Sequence, residues 1–221
     1  MQIIDRPSPN HDARDAAIDM LVLHYTGMTS ARAALERLCD PAAKVSAHYT
    51  IDETGTVYAH VPEARRAWHA GVSFWAGRRN LNSCSIGIEL VNPGHEFGYR
   101  AFPEAQIVAL IELATGIVSR HAIAAARVLG HSDIAPARKE DPGELFPWKR
   151  LARAGLGVWP QEANGNASAA ELGRYGYDPE APQDKVVTAF QRHFRPAKLD
   201  GLWDGECAGL LGGLFQTQSG N

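Results

Sequence analysis

Three short apolar segments in the first two thirds of the chain have the pattern of buried strands. Met20 to Tyr25 (MLVLHY) and Ser85 to Val91 (SIGIELV) are rich in Ile, Leu and Val and are bounded by turn residues. Residues 127–130 form a third candidate strand that leads directly into His131. These segments predict a sheet whose strands are covered on both faces.

Between the apolar segments the periodicity changes. Residues 47–52 and 56–60 flank a Glu-Thr-Gly turn and predict a β-hairpin. Pro103 opens a predicted helix that runs to about Arg120, because its apolar residues recur at helical spacing. The first part of the chain is therefore expected to be an α/β domain with a mixed central β-sheet flanked by helices.

The pattern changes again near residue 161. Residues 161–168 (QEANGNAS) are small and polar without periodicity, which is typical of a linker. Three short helices are predicted beyond it, over residues 169–175, 183–194 and 206–215. We therefore expect a first domain over residues 1–160 and a small three-helix C-terminal domain over residues 169–217.

Composition and charge exclude several classes of protein. Hydrophobic residues make up 45% of the chain, which is too much for a disordered protein. The 22 basic and 25 acidic residues give a net charge of -3 and form no basic block, which argues against nucleic acid or anionic lipid as a partner. The three cysteines have no CxxC spacing and are expected to be free thiols.

Neither a membrane span nor an export signal is expected. The longest apolar stretch, residues 107–118, contains Glu112 and is shorter than the roughly 18 to 20 residues that cross a bilayer. The first fifteen residues carry charges and prolines where a secretory signal has an apolar core. We expect a cytoplasmic protein, with the periplasm or outer membrane as the alternative if a leader has been removed.

Two histidines and one carboxylate lie where side chains from separate segments can meet. His24 and His131 each follow an apolar strand, and Asp141 lies in residues 131–142, where two prolines and intervening charges disfavour a regular helix. His and Asp are ligand types that suit catalytic zinc. From residue types alone, the alternative to a zinc site is that His24 and His131 are ordinary strand-end histidines and that Asp141 is a capping residue.

Six stretches together resemble the zinc-dependent N-acetylmuramoyl-L-alanine amidases of the AmpD/AmiD kind (amidase type 2). They fall in the family's order within residues 18–160, and the longer C-terminal part is closer to the AmiD branch. The stretches are LHYT (23–26), VSAHY (45–49), AWHAGVSFW (67–75), SIGIEL (85–90), GHSDIAPARKEDPG (130–143) and LFPW (145–148).

The resemblance implies one Zn²⁺ per chain, bound by His24, His131 and Asp141. It also implies that Glu89 is the general base and that Lys139 stabilises the oxyanion of the tetrahedral intermediate. The alternation of SIGIELV agrees for Glu89, because it places this carboxylate on the opposite face from the Ile and Leu side chains. The catalytic tyrosine of some superfamily members is replaced here by Ala47.

Several further residues are candidate substrate contacts. We expect His69 to form a wall of the substrate groove, with a structural role as the alternative, and Trp68 to pack on a sugar face, with a place in the core as the alternative. Arg78 and Asn82 precede the Glu89 strand, where a loop could reach peptide carboxylates. His48 is expected to be packed and hydrogen bonded. The remaining histidines are expected in surface or loop positions: His11, His60, His95, His121 and His193.

The C-terminal residues resemble a type 1 peptidoglycan-binding domain. The stretches that carry this resemblance are YGY (175–177), VVTAFQRHFR (186–195) and DGLWD (200–204). The resemblance implies sugar binding, and the alternative is that these helices only pack against the first domain.

The expected function is hydrolysis of the amide between N-acetylmuramic acid, or its 1,6-anhydro form, and L-alanine of the stem peptide. Peptidoglycan or a muropeptide would be the partner of a monomeric enzyme. One alternative is a peptidoglycan-recognition module without activity. Another is a zinc peptidase acting on other amides, although the chain lacks an HExxH signature.

Overall fold

A computed structural model describes residues 3–219. The strands are β1 (Ile3–Asp5), β2 (His11–Ala13), β3 (Met20–Tyr25), β4 (Tyr49–Ile51), β5 (Val57–Ala59), β6 (Arg65–Ala67), β7 (Phe74–Trp75), β8 (Arg78–Arg79), β9 (Ser85–Leu90) and β10 (Val128–Gly130). The helices are α1 (Ala31–Cys39), α2 (Gly94–Phe97), α3 (Glu104–His121), α4 (His131–Ile134), α5 (Trp148–Arg153), α6 (Leu172–Tyr175), α7 (Gln183–Phe194) and α8 (Gly205–Ser219).

The main sheet is mixed, with strand order β1-β5-β4-β9-β3-β10. Strand β4 runs antiparallel to β5 and parallel to β9, and β9, β3 and β10 run parallel to one another. The mixed α/β class, the two central strands and the hairpin agree with the sequence prediction.

The register assigns the two faces of the sheet. Leu21 pairs with Ile86 and Leu23 with Ile88, and these side chains form a core with the apolar face of α3. Pro103 is the N-cap of this helix, as the sequence predicts. On the opposite face, His24 pairs with Glu89, so both side chains point to the same side of the sheet.

The C-terminal helices pack on the face that carries His24. Met20, Val22 and Leu129 of the sheet share a hydrophobic core with Tyr177 and Phe190. The three predicted C-terminal helices are present, the first as a 3-10 turn at Ala169–Glu171 that continues into α6. The two parts of the chain therefore share one apolar interior.

The predicted linker lies against α8. Gly212 and Gly213 face the backbone of this segment, and a Cβ at either position would collide with the carbonyl oxygen of Asn164 or Glu162. Glycine allows the helix and the segment to approach closely. Residues 162–164 are therefore held against the bundle.

A buried carboxylate joins the two parts of the chain. Asp133 accepts hydrogen bonds from the Tyr177 hydroxyl and from His193 Nδ1, both at 2.8 Å. The His193 ring stacks on Trp148 with centroids 3.9 Å apart. The expectation of a surface or loop position is therefore wrong for His193, because α7 turns this ring into the interior.

The segment after β10 also differs in part from the prediction. Residues 131–134 form a one-turn helix, and the chain leaves helical geometry before Pro136. Cys39, Cys84 and Cys207 are free, as predicted. Among residues 3–219, no helix is both long and apolar enough to cross a bilayer.

Candidate active site

A cavity of about 400 Å³ opens at the carboxyl ends of β3 and β9. This edge is where open α/β sheets bind ligands, because the loops that follow the strands diverge there. The cavity lining includes Trp68, His69, Glu89, His131, Lys139 and Asp141. His24 is buried beside it, with 1% of its surface exposed.

Three polar atoms converge on one point at this cavity. Asp141 Oδ2 lies 2.9 Å from His24 Nδ1 and 3.0 Å from His131 Nδ1, and the two ring nitrogens are 3.0 Å apart. Two ligand atoms bound to one zinc ion at about 2.0 to 2.1 Å in tetrahedral geometry lie about 3.3 Å apart. The triangle is therefore close to the size that a single small cation requires.

The surroundings favour the forms that bind a cation. Burial and the neighbouring His131 lower the pKa of His24 to about 4, so its ring is neutral at pH 7. Burial opposes ionisation of Asp141, but His131 and His24 outweigh it and hold the pKa of that carboxyl below its usual range. A neutral His24 imidazole, the His131 ring and an ionised carboxylate fit the ligand set of a catalytic zinc.

In both histidine rings, the Nε2 atom, which points away from the triangle, lies within hydrogen-bond distance of a protein group. His131 Nε2 lies 3.1 Å from the Ala70 carbonyl oxygen, which can only accept, so the proton of this ring is on Nε2. His24 Nε2 lies 3.0 Å from His69 Nδ1. Among residues 3–219, His24, His131 and Asp141 are the one group with metal-ligand geometry.

Glu89 lies on the cavity wall beside this triangle. Its Oε2 is buried and has no hydrogen-bond partner. Burial, together with the negative charge of Asp141, raises the pKa of Glu89 well above 4.5, while Lys139 opposes the shift. An orphaned buried carboxylate oxygen with a raised pKa is typical of a group that exchanges protons with a ligand.

Lys139 lines the same cavity, between His131 and Asp141 in the sequence. The neighbouring Arg138 donates a hydrogen bond of 2.6 Å to the Val72 carbonyl oxygen, which fixes this loop to residues 70–72. The loop therefore brings a cation to the cavity that holds Glu89 and Asp141.

The four candidate substrate contacts divide into two pairs. Trp68 and His69 line the cavity. Arg78 does not, and its guanidinium binds Asp19 at 2.6 Å. Asn82 also lies outside the lining, and its Oδ1 accepts hydrogen bonds from the backbone N–H groups of His69 and Ala70. A substrate contact by any of these four residues stays a prediction. In the structure, the polar groups of Arg78 and Asn82 are bound to other parts of the protein.

One residue near the site was missed from the sequence. Ser85 begins β9 and its hydroxyl lies 3.1 Å from His69 Nε2. The strand pattern contained the signal. Ser85, Gly87 and Glu89 share the polar face of the strand, whereas Ile86 and Ile88 lie on its apolar face. His48, by contrast, is fully buried and accepts a hydrogen bond from the Gly87 N–H, as expected.

Comparisons with known proteins find similar sequences over most of the chain. A family model described as N-acetylmuramoyl-L-alanine amidase matches residues 14–144. The N-acetylmuramoyl-L-alanine amidase AmiD of Escherichia coli strain K12 is 39% identical over 231 residues, covering 90% of this chain and 83% of the relative. The 1,6-anhydro-N-acetylmuramyl-L-alanine amidase AmpD of Enterobacter cloacae is 36% identical over 164 residues, covering 66% of this chain and 86% of the relative.

A solved structure extends the likeness to both parts of the chain. The complex of E. coli AmiD with the substrate anhydro-N-acetylmuramic acid-L-Ala-D-gamma-Glu-L-Lys superposes with a TM-score of 0.83 and 37% identity. The superposition covers 95% of this chain and 94% of that one. The similarity is thus to the AmiD type over nearly the whole chain, and to the shorter AmpD over two thirds of it.

Proposed function

The chain belongs to the N-acetylmuramoyl-L-alanine amidase family, and from this premise we propose that it is a zinc enzyme with His24, His131 and Asp141 as ligands. Its reaction is hydrolysis of the amide between N-acetylmuramic acid, or the 1,6-anhydro form, and L-alanine of the peptidoglycan stem peptide. The observation that carries the proposal is the triangle of three ligand atoms beside the buried Oε2 of Glu89.

Zinc bound to this triangle would supply Lewis acidity and activate water at neutral pH. An amide is a poor electrophile, so its hydrolysis benefits from both effects. Asp141 is the one acidic side chain among the three ligands and supplies a single negative charge. A dication would be only partly neutralised by this set and would remain an effective electrophile.

Glu89 is suited to move the proton in this reaction. The attacking water adds to the lactyl carbonyl carbon and gives its proton to Glu89, which then passes it to the amine nitrogen as the C–N bond breaks. A dication at the triangle would oppose the rise in the pKa of Glu89 that burial and Asp141 impose, and would favour the ionised form that accepts a proton. A carboxylate held between these opposing effects can both accept a proton and return it.

Lys139 has the charge and the position to stabilise the oxyanion that forms when water adds. It lines the cavity together with Glu89 and Asp141. Its ammonium group complements the negative charge of the tetrahedral intermediate more strongly than that of the ground-state carbonyl. The products are a muramic acid carboxylate and a stem peptide with a free L-alanine amine.

Glu89→Gln tests this assignment, because it keeps the shape of the side chain and removes the base. We expect kcat to fall by about 10²- to 10⁴-fold while zinc stoichiometry is unchanged. Glu36→Gln, on the exposed face of α1, is the matched control and should retain full activity. Full activity of Glu89→Gln, or loss of its zinc, would contradict the role of Glu89 as general base.

For the C-terminal part we propose a peptidoglycan-binding-like helical domain over residues 169–217, joined by residues 161–168 to the catalytic domain at 1–160. The sequence resemblance and the three helices support this division. The core shared with Met20 and Val22 favours the alternative, in which these helices only complete the catalytic domain. Cosedimentation of the Glu89→Gln protein with insoluble peptidoglycan separates the two alternatives. When soluble muropeptide saturates the active site, only a sugar-binding C-terminal domain would still hold the protein on the polymer.

The chain is expected to act as a monomer, which light scattering would measure directly. The cytoplasm is still the compartment expected from the sequence, with the periplasm or outer membrane as the alternative.

A further inference from the structure

A line of buried polar groups leads from His24 away from the cavity. His24 Nε2 lies 3.0 Å from His69 Nδ1, His69 Nε2 lies 3.1 Å from Ser85 Oγ, and Ser85 Oγ lies 2.6 Å from the Leu81 carbonyl oxygen. His69 is 8% exposed and Ser85 is fully buried. The line ends at a backbone group, which has a fixed hydrogen-bonding role.

The carbonyl end determines the direction of every proton in the line. The Leu81 oxygen only accepts, so the Ser85 hydroxyl donates to it and its oxygen accepts from His69 Nε2–H. A neutral His69 with its proton on Nε2 has a bare Nδ1, which accepts from His24 Nε2–H. His24 Nδ1 is then left without a proton, and this is the atom directed at Asp141 and His131.

The reverse arrangement is incompatible with a metal ligand. If His69 carried its proton on Nδ1, His24 Nε2 would have to accept it, and the proton of the neutral His24 ring would then lie on Nδ1. That proton would occupy the point on which the three ligand atoms converge. The line from Leu81 therefore selects the one tautomer of His24 that can bind a cation.

His69 is itself held in place by two further features. Asn82 Oδ1 accepts hydrogen bonds from the N–H groups of His69, at 3.0 Å, and Ala70, at 2.7 Å. The ring lies directly over Gly87, where an added Cβ would collide with it. Since the Ala70 carbonyl also accepts from His131 Nε2, this two-residue segment braces both histidine ligands.

We propose that His69 is a positioning residue for the metal site, which together with Ser85 and Asn82 sets the tautomer and orientation of His24 and thereby the affinity for zinc. The proposal rests on the proposed function, because it takes His24 to be a ligand. It also gives His69 and Asn82 a role other than the substrate contact expected from the sequence.

The test is zinc affinity, measured by competition with a chromophoric chelator. His69→Phe keeps a ring of similar size and removes both nitrogens, and we expect affinity to fall roughly 10- to 100-fold. His69→Asn keeps an acceptor near the position of Nδ1 and should recover most of the loss. The matched control is His60→Phe, because His60 is equally buried, at 2% exposure, and bonds to Thr50 and Arg6 but to none of the ligands.

The outcomes separate this inference from the proposed function. If His24→Ala binds zinc as tightly as the unaltered chain, the proposed metal site itself is wrong. If His24→Ala loses zinc but His69→Phe keeps the affinity of His60→Phe, only the positioning role is wrong. The Co²⁺-loaded protein adds a spectroscopic readout, since the visible bands of His69→Phe should shift while those of His60→Phe should not.

A measurement on the unaltered protein covers the case in which His69→Phe does not fold. Long-range ¹H–¹⁵N correlation of the imidazole rings in the zinc-loaded protein should place the protons of His24 and His69 on Nε2. A proton on Nδ1 of His69 would overturn the proposal.

Discussion

The hydrogen bond from Tyr177 to Asp133 gives a direct test of how the C-terminal helices are attached. Tyr177 is fully buried and Asp133 is 1% exposed, and the phenolic hydroxyl donates to Oδ1 at 2.8 Å. Tyr177→Phe removes the hydroxyl alone and keeps the ring packed against Trp75, whose centroid lies 5.0 Å away. The carboxylate oxygen then loses a donor in a site closed to water.

Loss of a buried hydrogen bond to a charged group costs about 1.5 to 3 kcal/mol. For a cooperative unit of this size, each kcal/mol corresponds to about 2 to 4 °C in Tm, so Tm should fall by roughly 3 to 12 °C. The shared core of Met20, Val22 and Phe190 further predicts one calorimetric transition for the catalytic and C-terminal parts.

Differential scanning calorimetry measures both quantities. Tyr58→Phe is the matched control, because its hydroxyl binds Asp52 at 3.2 Å in a half-buried position and its loss should change stability by no more than about 0.5 kcal/mol. An unchanged Tm for Tyr177→Phe, or two separate transitions of which only one responds, would refute the coupling through Asp133.

Two further predictions concern acid stability and catalysis. Burial opposes ionisation of Glu63, but hydrogen bonds from Arg120, His121 and Tyr49 outweigh it and lower its pKa to about 2. Because its pKa is lowered, the ionised Glu63 stabilises the fold above pH 4.5, and this stabilisation is lost as pH falls toward 2. In urea unfolding, Glu63→Gln should therefore lower the free energy of unfolding by up to about 3 kcal/mol at pH 7 and by little at pH 2. An equal cost at both pH values would contradict this. Lys139→Met should lower kcat by about 10²- to 10³-fold with zinc affinity within a few-fold of the unaltered chain, and a change confined to KM would remove its oxyanion role.

The sequence pattern was sufficient for the elements that carry the site. The bounds of β3 were predicted residue for residue and those of β9 within one residue, because their composition and turn boundaries are local signals. The alternation in SIGIELV also placed Glu89 correctly on the face of the sheet opposite the α3 core. The strand-end and loop positions of His24, His131 and Asp141 allowed them to converge but left an alternative open, and the family resemblance decided between the two, since no local rule aligns residues so distant in sequence.

Residues whose partners are distant in sequence were the ones misplaced or left open. His193 was expected in a surface or loop position, but α7 carries its ring against Trp148 and Asp133. The polar ends of Arg78 and Asn82 are bound to Asp19 and to the backbone of residues 69–70, outside the cavity. Hydrophobic periodicity reports which face of an element is buried, but it does not identify the polar partner that the fold brings to it.

We propose that the cavity beside Glu89 hydrolyses one particular amide with the help of a metal. The most direct measurement incubates the protein with a 1,6-anhydro-N-acetylmuramyl peptide, with and without a chelator, and weighs the products by mass spectrometry. We expect release of an intact stem peptide with a free L-alanine amine, loss of this product with chelator, and recovery on addition of Zn²⁺. Cleavage inside the peptide, or the same product at the same rate after complete removal of metal, would contradict it.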